Sequence, residues 1–373
     1  MTHIRLVLVA WALALAVAGP AQADVSDVLC TSSAGACQPA ARTGTPITAP
    51  VGPHLVGRTD IAVPAGPRTV MVSAWYPAAG GGRAALYVPT STTPAALHVA
   101  TDGAMWMHAP AAAVAMATAS APATQDAPFA EGLDRLPVAV LSPGMGTPRW
   151  ILSGAAADLA SRGYIALVVD HTGESPAVEL TDGTIVTGTP PRSDDPGYMR
   201  AALATRVDDV RLVLDHLGDL PLVGAHTDAT RIVAVGHSYG GYTAVATMQA
   251  DPRVRAGVVL DGSAGWPGTT GVENQGLDRP VLVLAFGSMV HASWIKFGHN
   301  TTGPFRLATT AGGGHYSPTD LCTFAPEAGE LCGTLPARRA TTITRELTAT
   351  FLDQALTGQP DALGEWPEVD WRR

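Results

Sequence analysis

Runs of apolar residues recur along the chain from residue 136 onward, separated by stretches with helical periodicity. The runs are short and rich in Val, Ile and Leu, which is typical of strands buried on both faces. The predicted strands are 136–142, 164–170, 231–236, 255–260, 280–286 and 305–310. The predicted helices are 151–161, 199–217, 239–250 and 338–356. This alternation predicts an α/β fold with a mostly parallel sheet covered on both faces.

The region before residue 136 is less regular. Two strand-like runs, 61–63 and 69–76, flank PAGPR and predict a hairpin. The stretch 86–135 is rich in Ala, Pro and Thr, with an apolar group around Trp106. It is interpreted either as a cover or lid over a pocket or as packed loop.

The first 23 residues have the features of a secretory signal. Arg5 precedes an apolar stretch, and Ala21-Gln22-Ala23 fits a cleavage site, so we expect cleavage after Ala23 and a secreted protein. A membrane anchor is the alternative, but the apolar stretch is shorter than the roughly 20 residues that span a bilayer. Residues 24–58 are small, polar and rich in Pro and Gly, which predicts an N-terminal extension.

Four cysteines remain after the signal, in two close pairs. An even number of cysteines in an exported protein favours disulfides, so we predict Cys30–Cys37 and Cys322–Cys332. A zinc site with four thiolate ligands is the alternative, although spacings of seven and ten residues fit zinc motifs poorly.

Composition excludes some classes of function. The chain has 373 residues, of which 46% are hydrophobic and 15% charged, enough for one large core. The net charge is −9 and the acidic residues are dispersed, which argues against nucleic acid as a partner. We expect a monomer without stable membrane insertion.

Candidate chemistry begins at Gly236-His237-Ser238-Tyr239-Gly240, a G-x-S-x-G motif between a predicted strand and a predicted helix. Such a turn lifts Ser238 Oγ clear of the sheet at a helix N-terminus, where dipoles favour developing negative charge. The alternative is that Ser238 only caps the helix. A serine nucleophile needs a histidine base and an orienting carboxylate, in the chain order Ser, acid, His.

Three histidines follow the serine. His315 comes after the last predicted strand, in a triple-glycine stretch that can carry an imidazole back over the sheet edge, and it is the predicted base. His299 and His291 are expected at the pocket or the surface, and His237 is expected to be structural.

The acid follows from elimination. Residues 287–314 contain no Asp or Glu, so the loop after strand 280–286 cannot supply it. Asp261 ends the preceding strand, beside the strand of Ser238, and is the predicted acid; its alternative role is to form a turn before Gly262. Asp320 is the competitor, and Glu273 and Asp278 are less suitable because no strand presents them.

Acyl transfer also needs hydrogen-bond donors for an oxyanion. The predicted donors are the backbone N–H of Tyr239 and that of Met145 in the loop Ser142-Pro143-Gly144-Met145-Gly146. As an alternative, this loop is an ordinary turn.

With these residues the chain resembles the secreted bacterial branch of the platelet-activating-factor acetylhydrolase family (plasma type, isoform II-like) of α/β-hydrolases. The resemblance covers most of residues 59–357 and predicts one hydrolase domain over 59–373. It rests on the segments AWYPA, LSPGMG, RGYIALVVDHTGES, GHSYGG, VVLDGSAGWP and GGGHYSPTD. One departure is Pro143, where the family usually has histidine.

The resemblance implies a serine esterase for short to medium acyl chains that acts on a small-molecule ester or lipid and uses no metal or other cofactor. Ser238, Asp261 and His315 would be its catalytic triad, Met145 and Tyr239 its oxyanion donors. His171, Trp266 and Trp106 would line the pocket, although core packing is the commoner role of an aromatic residue. Rival interpretations are a lipase or cutinase-type polyester hydrolase, a non-catalytic binding protein on a hydrolase scaffold, and an acyltransferase.

Overall fold

An eleven-stranded sheet is the centre of the computed structural model, which describes residues 44–267, 271–288, 290–359 and 363–372. The predicted signal and the predicted Cys30–Cys37 pair lie outside these residues. The strands are β1 (Val56–Ala65), β2 (Arg68–Pro77), β3 (Ala84–Leu86), β4 (Ser120–Gln125), β5 (Leu136–Ser142), β6 (Ile165–Asp170), β7 (Ala177–Glu179), β8 (Ile185–Thr187), β9 (Thr227–His237), β10 (Val254–Leu260), β11 (Val281–Phe286), β12 (Phe305–Thr310) and β13 (Val369–Arg372).

Helices cover both faces of this sheet. They are α1 (Thr93–Trp106), α2 (Ala113–Thr118), α3 (Ser153–Ser161), α4 (Pro196–Asp215), α5 (Tyr239–Ala250), α6 (Ala292–Asn300), α7 (Leu321–Phe324), α8 (Gly329–Cys332) and α9 (Ala337–Thr357). None of the helices in the described residues combines the length and the apolarity needed to cross a bilayer.

The strand order is β13-β12-β11-β10-β9-β5-β6-β2-β1-β4-β3, with β7 and β8 forming a separate pair. The strands from β12 to β6 in this order all run parallel, so their carboxyl ends meet at one edge. The predicted α/β class and the central parallel strands are confirmed. Such an edge is where α/β sheets place their ligand sites.

Two hydrophobic cores lie on opposite faces of the sheet because side chains alternate along each strand. On β10, Val258 and Leu260 face one core, which also contains residues of α1, α3 and α9. Val259 faces the other core, with residues of α4, α5 and α6. Helix α5 is buried from Tyr239 to Met248, and this packing fixes its N-terminus against the sheet.

The stretch 86–135 folds into packed structure, with α1 and α2 as its helices. Both helices contribute to the first core, and α1 approaches Trp150 so closely that a β-carbon added at Gly103 would lie 2.7 Å from its ring. The sequence pattern also missed α6 and β13, whereas the apolar face that the helical period predicts for α4 does face the second core, where Val210 and Leu214 are buried. Leu203 and Val207 are only partly buried, whereas Arg206 and Asp209 are buried.

Candidate active site

Five loops meet at the carboxyl edge of the parallel strands. They follow β5, β6, β9, β10 and β12, and they carry most of the residues singled out in the sequence. Because neighbouring strands are about 4.8 Å apart, side chains from adjacent strand ends are within reach of one another.

Ser238 lies at a sharp strand-to-helix turn. Its φ of 56° is in the left-handed region, which costs energy for any residue with a side chain. The turn requires glycine on both sides: a β-carbon at Gly236 would lie 1.9 Å from the Gly240 carbonyl oxygen, and one at Gly240 would lie 2.0 Å from that of Ser142. The Ser238 side chain makes no capping hydrogen bond to α5, so the geometry disfavours a role limited to capping.

A chain of hydrogen bonds joins Ser238, His315 and Asp261. Ser238 Oγ lies 2.9 Å from His315 Nε2, and His315 Nδ1 lies 2.6 Å from Asp261 Oδ2. A carboxylate only accepts hydrogen bonds, so Nδ1 carries the proton and Nε2 presents its lone pair to the serine hydroxyl. The His315 side chain is 34% exposed and that of Asp261 14%, so the serine end of this chain faces outward.

Asp261 is held by the strand beyond it. The Phe286 backbone N–H, at the end of β11, donates to Asp261 Oδ1 at 2.6 Å. With Oδ2 bound to His315, both carboxylate oxygens are used and the side chain cannot rotate freely.

The loop of His315 is anchored from two sides. The buried His237 donates from Nε2 to the His315 carbonyl oxygen at 2.7 Å, which gives this predicted structural histidine a definite partner. Burial, reinforced by His315, holds the pKa of His237 well below its usual value, so His237 stays neutral. On the other side, Tyr316 N–H donates to the Leu331 carbonyl oxygen at 2.8 Å.

The competing residues lie elsewhere. Asp320 accepts the Gly154 N–H at 2.9 Å, and burial raises the pKa of Asp320 to about 7, although Arg345 and the Gly154 N–H oppose that shift. Glu273 is bonded by Asn274, Asp278 pairs with Arg279, and His291 and His299 are exposed residues before and within α6.

The loop after β5 lies against the serine. A β-carbon added at Gly144 would lie 3.2 Å from Ser238 Cβ, so the next peptide N–H, that of Met145, is close to the nucleophile. Within the described part of the chain, neither the Met145 nor the Tyr239 backbone N–H has a hydrogen-bond partner. Both predicted donors are therefore available to a ligand.

The three predicted pocket residues have different surroundings. Trp106 packs over Gly146, where an added β-carbon would lie 3.2 Å from its ring, and Trp266 makes an edge-on contact with the Tyr239 ring at 5.4 Å. His171 is only 2% exposed and contacts Asp209 Oδ2 through Nδ1 at 3.0 Å. The structure thus corrects the prediction that His171 lines the pocket, because its imidazole is buried and is already hydrogen-bonded to another buried side chain.

Sequence reasoning missed the buried charges beneath the loop. Arg206 Nε donates to Glu174 Oε2 at 2.7 Å, and Arg149 NH1 donates to Asp170 Oδ2 at 2.7 Å. In the predicted helix 199–217, Leu203 and Val210 recur at helical spacing on one apolar face, and Arg206 lies on the same face, which was a signal that its charge is buried. Glu174 lies inside the segment RGYIALVVDHTGES.

The predicted disulfide between Cys322 and Cys332 is confirmed, with a Cα–Cα distance of 5.5 Å. Two bonded sulfurs cannot serve as thiolate ligands, which argues against the four-cysteine zinc site. Among the described residues, no group of three or more His, Cys, Asp or Glu side chains is placed to hold a metal ion.

Comparison with known proteins places these features in a family. Residues 40–183 match the family described as platelet-activating factor acetylhydrolase, isoform II, and residues 202–277 match the prolyl oligopeptidase family. A probable 1-alkyl-2-acetylglycerophosphocholine esterase from Arthroderma benhamiae is 30% identical over 42% of this chain and 38% of its own. The platelet-activating factor acetylhydrolase of Cavia porcellus is 26% identical over 56% of this chain and 54% of its own.

A solved structure extends the likeness to the whole fold. The ferulic acid esterase from Streptomyces cinnamoneus is 30% identical, with a TM-score of 0.75 over 89% of this chain and 100% of that one. The matched proteins are named as esterases or acetylhydrolases, in agreement with the predicted carboxylic ester hydrolase. The chain belongs to the platelet-activating-factor acetylhydrolase-like family of α/β-hydrolases.

Proposed function

We propose that this protein is a secreted serine esterase that cleaves carboxylic esters with short to medium acyl chains. The observation that carries the proposal is the hydrogen-bonded chain from Asp261 through His315 to Ser238 at the carboxyl edge of the sheet. That chain contains a nucleophile, a base within hydrogen-bond reach and a group that orients the base. The match to esterases across the fold supports the same reaction class.

The reaction follows from the roles of these three groups. His315 Nε2 takes the proton of Ser238 as Oγ attacks the ester carbonyl, and Asp261 stabilises the imidazolium that forms. The resulting oxyanion accepts hydrogen bonds from the backbone N–H groups of Met145 and Tyr239. His315 returns the proton to the leaving alkoxide, which leaves an acyl-enzyme, and water activated by the same imidazole releases the acid.

A second candidate substrate class is an ester of an aromatic acid. It is favoured by the likeness to the ferulic acid esterase and by two partly exposed tryptophans near the predicted oxyanion donors, Trp106 beside Gly146 and Trp266 against the Tyr239 ring. Short aliphatic acyl groups are favoured instead by the acetylhydrolase names of the other relatives.

Export is part of the proposal. It is supported by the predicted signal and by the Cys322–Cys332 bond, since disulfides persist mainly in oxidising compartments. The test is N-terminal sequencing of the protein recovered from the medium of an expressing bacterium. A mature terminus at Asp24 is expected, and retention of the full chain in the cell would contradict export.

The decisive experiment compares the wild type with Ser238→Ala. Hydrolysis is measured on nitrophenyl acetate, butyrate, octanoate and dodecanoate and on a feruloyl ester. We expect turnover by the wild type, and a fall in kcat of at least about 10⁴-fold in the variant. Ser153→Ala is the matched control, because the Ser153 hydroxyl is buried without a partner within the described residues and its loss removes no hydrogen bond.

The pattern of substrates separates the candidates. A maximum at acetate or butyrate supports the aliphatic assignment, and a higher kcat/KM for the feruloyl ester supports the aromatic one. Rates that rise towards dodecanoate would favour a lipase-type enzyme. No turnover of any ester by the wild type would contradict the proposed function.

A further inference from the structure

Arg206 lies buried beneath the loop that carries the Met145 N–H. It projects from α4 and is 1% exposed. Its NH1 group donates to the Pro143 carbonyl oxygen and its NH2 group to that of Gly144, each at 2.8 Å. One guanidinium therefore holds two successive peptide groups of the loop from behind.

The remaining N–H groups of Arg206 are also used. Nε donates to Glu174 Oε2 at 2.7 Å, NH2 also donates to Glu174 Oε1, and NH1 contacts Thr243 Oγ1 at 3.5 Å. A guanidinium has five N–H donors in a planar fork, and here five contacts account for them. No donor is left over for a substrate, so Arg206 acts on the protein itself.

Glu174 completes the support of the loop. Its Oε1 accepts the Gly146 N–H at 3.2 Å, so the same carboxylate binds both Arg206 and the loop. Burial alone would raise the pKa of Glu174, but the charge and hydrogen bonds of Arg206 outweigh it and hold the pKa below its usual value. The Glu174 carboxyl is therefore ionised at neutral pH.

The direction of the Met145 N–H follows from this arrangement. The described residues contain no cis peptide bond, so the carbonyl of Gly144 and the N–H of Met145 point in opposite directions across one planar peptide. The Gly144 carbonyl oxygen accepts Arg206 NH2 and also the Thr147 N–H at 3.2 Å and the Thr147 hydroxyl at 2.9 Å, and the Met145 N–H consequently faces away from the guanidinium. The unpartnered state of this N–H agrees with a donor kept ready for a ligand.

Arg206 also contacts the residue of the second donor. Its guanidinium lies over the Tyr239 ring, 5.5 Å from the centroid. Thr243, which Arg206 contacts, donates its hydroxyl to the Tyr239 carbonyl oxygen at 3.0 Å. The two backbone donors follow different strands, β5 and β9, and Arg206 contacts both of these segments.

We propose that Arg206, supported by Glu174, is a positioning residue that fixes the oxyanion donors Met145 and Tyr239 relative to Ser238. This role rests on the proposed esterase function. The role predicts that a variant loses stabilisation of the transition state and therefore kcat, because the donors matter most when the carbonyl oxygen becomes an anion. Lysine cannot replace Arg206, since one ammonium cannot reach both loop carbonyls and both oxygens of Glu174.

The test uses Arg206→Lys and the double variant Arg206→Gln/Glu174→Gln. The double variant removes both charges together and so leaves no unpaired buried charge that would prevent folding. On nitrophenyl acetate, kcat is expected to fall about 10²-fold in the double variant and about 10-fold in Arg206→Lys, with KM changed by less than about threefold. Affinity for a trifluoromethyl ketone, which forms a tetrahedral oxyanion with the serine, should fall by the same factor as kcat/KM.

Arg58→Gln is the matched control. Arg58 is an equally buried arginine that binds the Leu86 carbonyl oxygen and Gln125, on β1 and away from the oxyanion loop. This variant should melt at a lower temperature but keep the kcat of the wild type within about twofold when folded.

The outcomes separate the two proposals. A wild type that turns over esters no faster than Ser238→Ala contradicts the esterase function itself. The role of Arg206 is overturned if the wild type is active and the folded double variant keeps the wild-type kcat, even when its KM rises or its melting temperature falls. The esterase function would then still stand.

Discussion

Both oxygens of the Asp261 carboxylate are occupied, each by a different part of the fold. One binds the imidazole of His315 and the other binds the backbone at the end of β11. The side chain therefore orients the imidazole and cannot simply be replaced by a nearby carboxylate. Asp320, only five residues after His315, instead binds the N-terminus of α3.

We expect Asp261→Asn to lower kcat by about 10⁴-fold while the protein stays folded. An amide can donate to Nδ1, which favours the wrong tautomer of His315 and removes its lone pair from the serine. Asp320→Asn is the matched control and should keep kcat within about threefold. Steady-state kinetics and melting curves check both variants; an active Asp261→Asn would assign the acid elsewhere.

Two buried groups should make opposite contributions to the pH dependence of stability. Folding holds the pKa of His237 below the value of about 6.5 expected in the unfolded chain, so His237 makes stability fall as the pH drops below about 6.5. Burial raises the pKa of Asp320 to about 7, so the folded state keeps a proton that the unfolded state releases above about pH 4. Asp320 therefore makes stability fall as the pH rises from about 4 to about 7.

Urea unfolding between about pH 5 and about pH 6.5 tests this pair. His237→Gln should lower the slope of the unfolding free energy against pH by up to about 1.4 kcal/mol per pH unit, and Asp320→Asn should raise it by a similar amount. Slopes that shift in the same direction in both variants would contradict the assigned protonation states.

The three residues of the proposed triad were easier to predict than the buried residues that support the site. Ser238 was marked by its glycines, and Asp261 by the absence of carboxylates in residues 287–314. Arg206 and Glu174 were not predicted, because their importance comes from contacts across 32 residues of sequence. His171 was misplaced for the same reason: its partner Asp209 lies on α4, and the sequence pattern does not pair a loop residue with a helix residue.

At the scale of elements, the parallel strands were predicted well because each is buried on both faces and reads as an apolar run. The segment AAAVAMATA at 111–119 indicates a candidate helix, which α2 confirms, but α1 was not assigned. Both Ala-rich segments have little amphipathic pattern and gain their stability from packing in the first core. β13 is a four-residue edge strand, too short for a period of two to be recognised.

The segment from α7 to α8 is closed by the Cys322–Cys332 bond and supports the loop of His315. Ser317 Oγ donates to the Cys332 carbonyl oxygen at 2.8 Å and accepts the Gly314 N–H at 2.9 Å, so the segment and the loop share hydrogen bonds that do not depend on the sulfurs. The disulfide should therefore act mainly by restricting the unfolded chain.

Replacing both cysteines, Cys322→Ser/Cys332→Ser, should lower the unfolding free energy by about 3 kcal/mol, the chain-entropy value for a loop of this length. Because the hydrogen bonds remain, kcat at 25 °C should stay within about twofold of the wild type. Urea unfolding and ester kinetics measure the two effects. Any further loss when the variant is reduced reports the predicted Cys30–Cys37 bond, and an unchanged unfolding free energy would contradict the stabilising role.

At the scale of the whole molecule, the three residues of the proposed triad come from strand ends that are distant in sequence and close in space. Ser238 follows β9, Asp261 follows β10 and His315 follows β12, so the sheet sets their spacing. The fold thereby brings a carboxylate, an imidazole and a hydroxyl together at one edge of the sheet. In the proposed reaction, His315 must be unprotonated at Nε2 to take the serine proton.

Exhaustive dialysis against EDTA should accordingly leave kcat/KM on nitrophenyl acetate unchanged. The expectation follows from activation of Ser238 by His315 and from the lack, in the described ranges, of a cluster of three or more metal-ligating side chains. A loss of rate that Zn²⁺ or Ca²⁺ restores would contradict it.

The position of the Asp261 carboxylate, directly after β10, also determines which connection of the fold can be exchanged. The connection between β11 and β12, which includes α6, carries none of Ser238, Asp261 and His315, and it meets the end of β10 through Trp294, whose Nε1 donates to the Gly262 carbonyl oxygen at 2.6 Å. A foreign connection grafted from residue 287 to residue 304 should therefore keep the hydrogen bonds between those three side chains, provided that it retains the buried Trp294 and Phe297. Architectures that place the acid after β11 do not have that freedom, because there the same stretch must also deliver the charge.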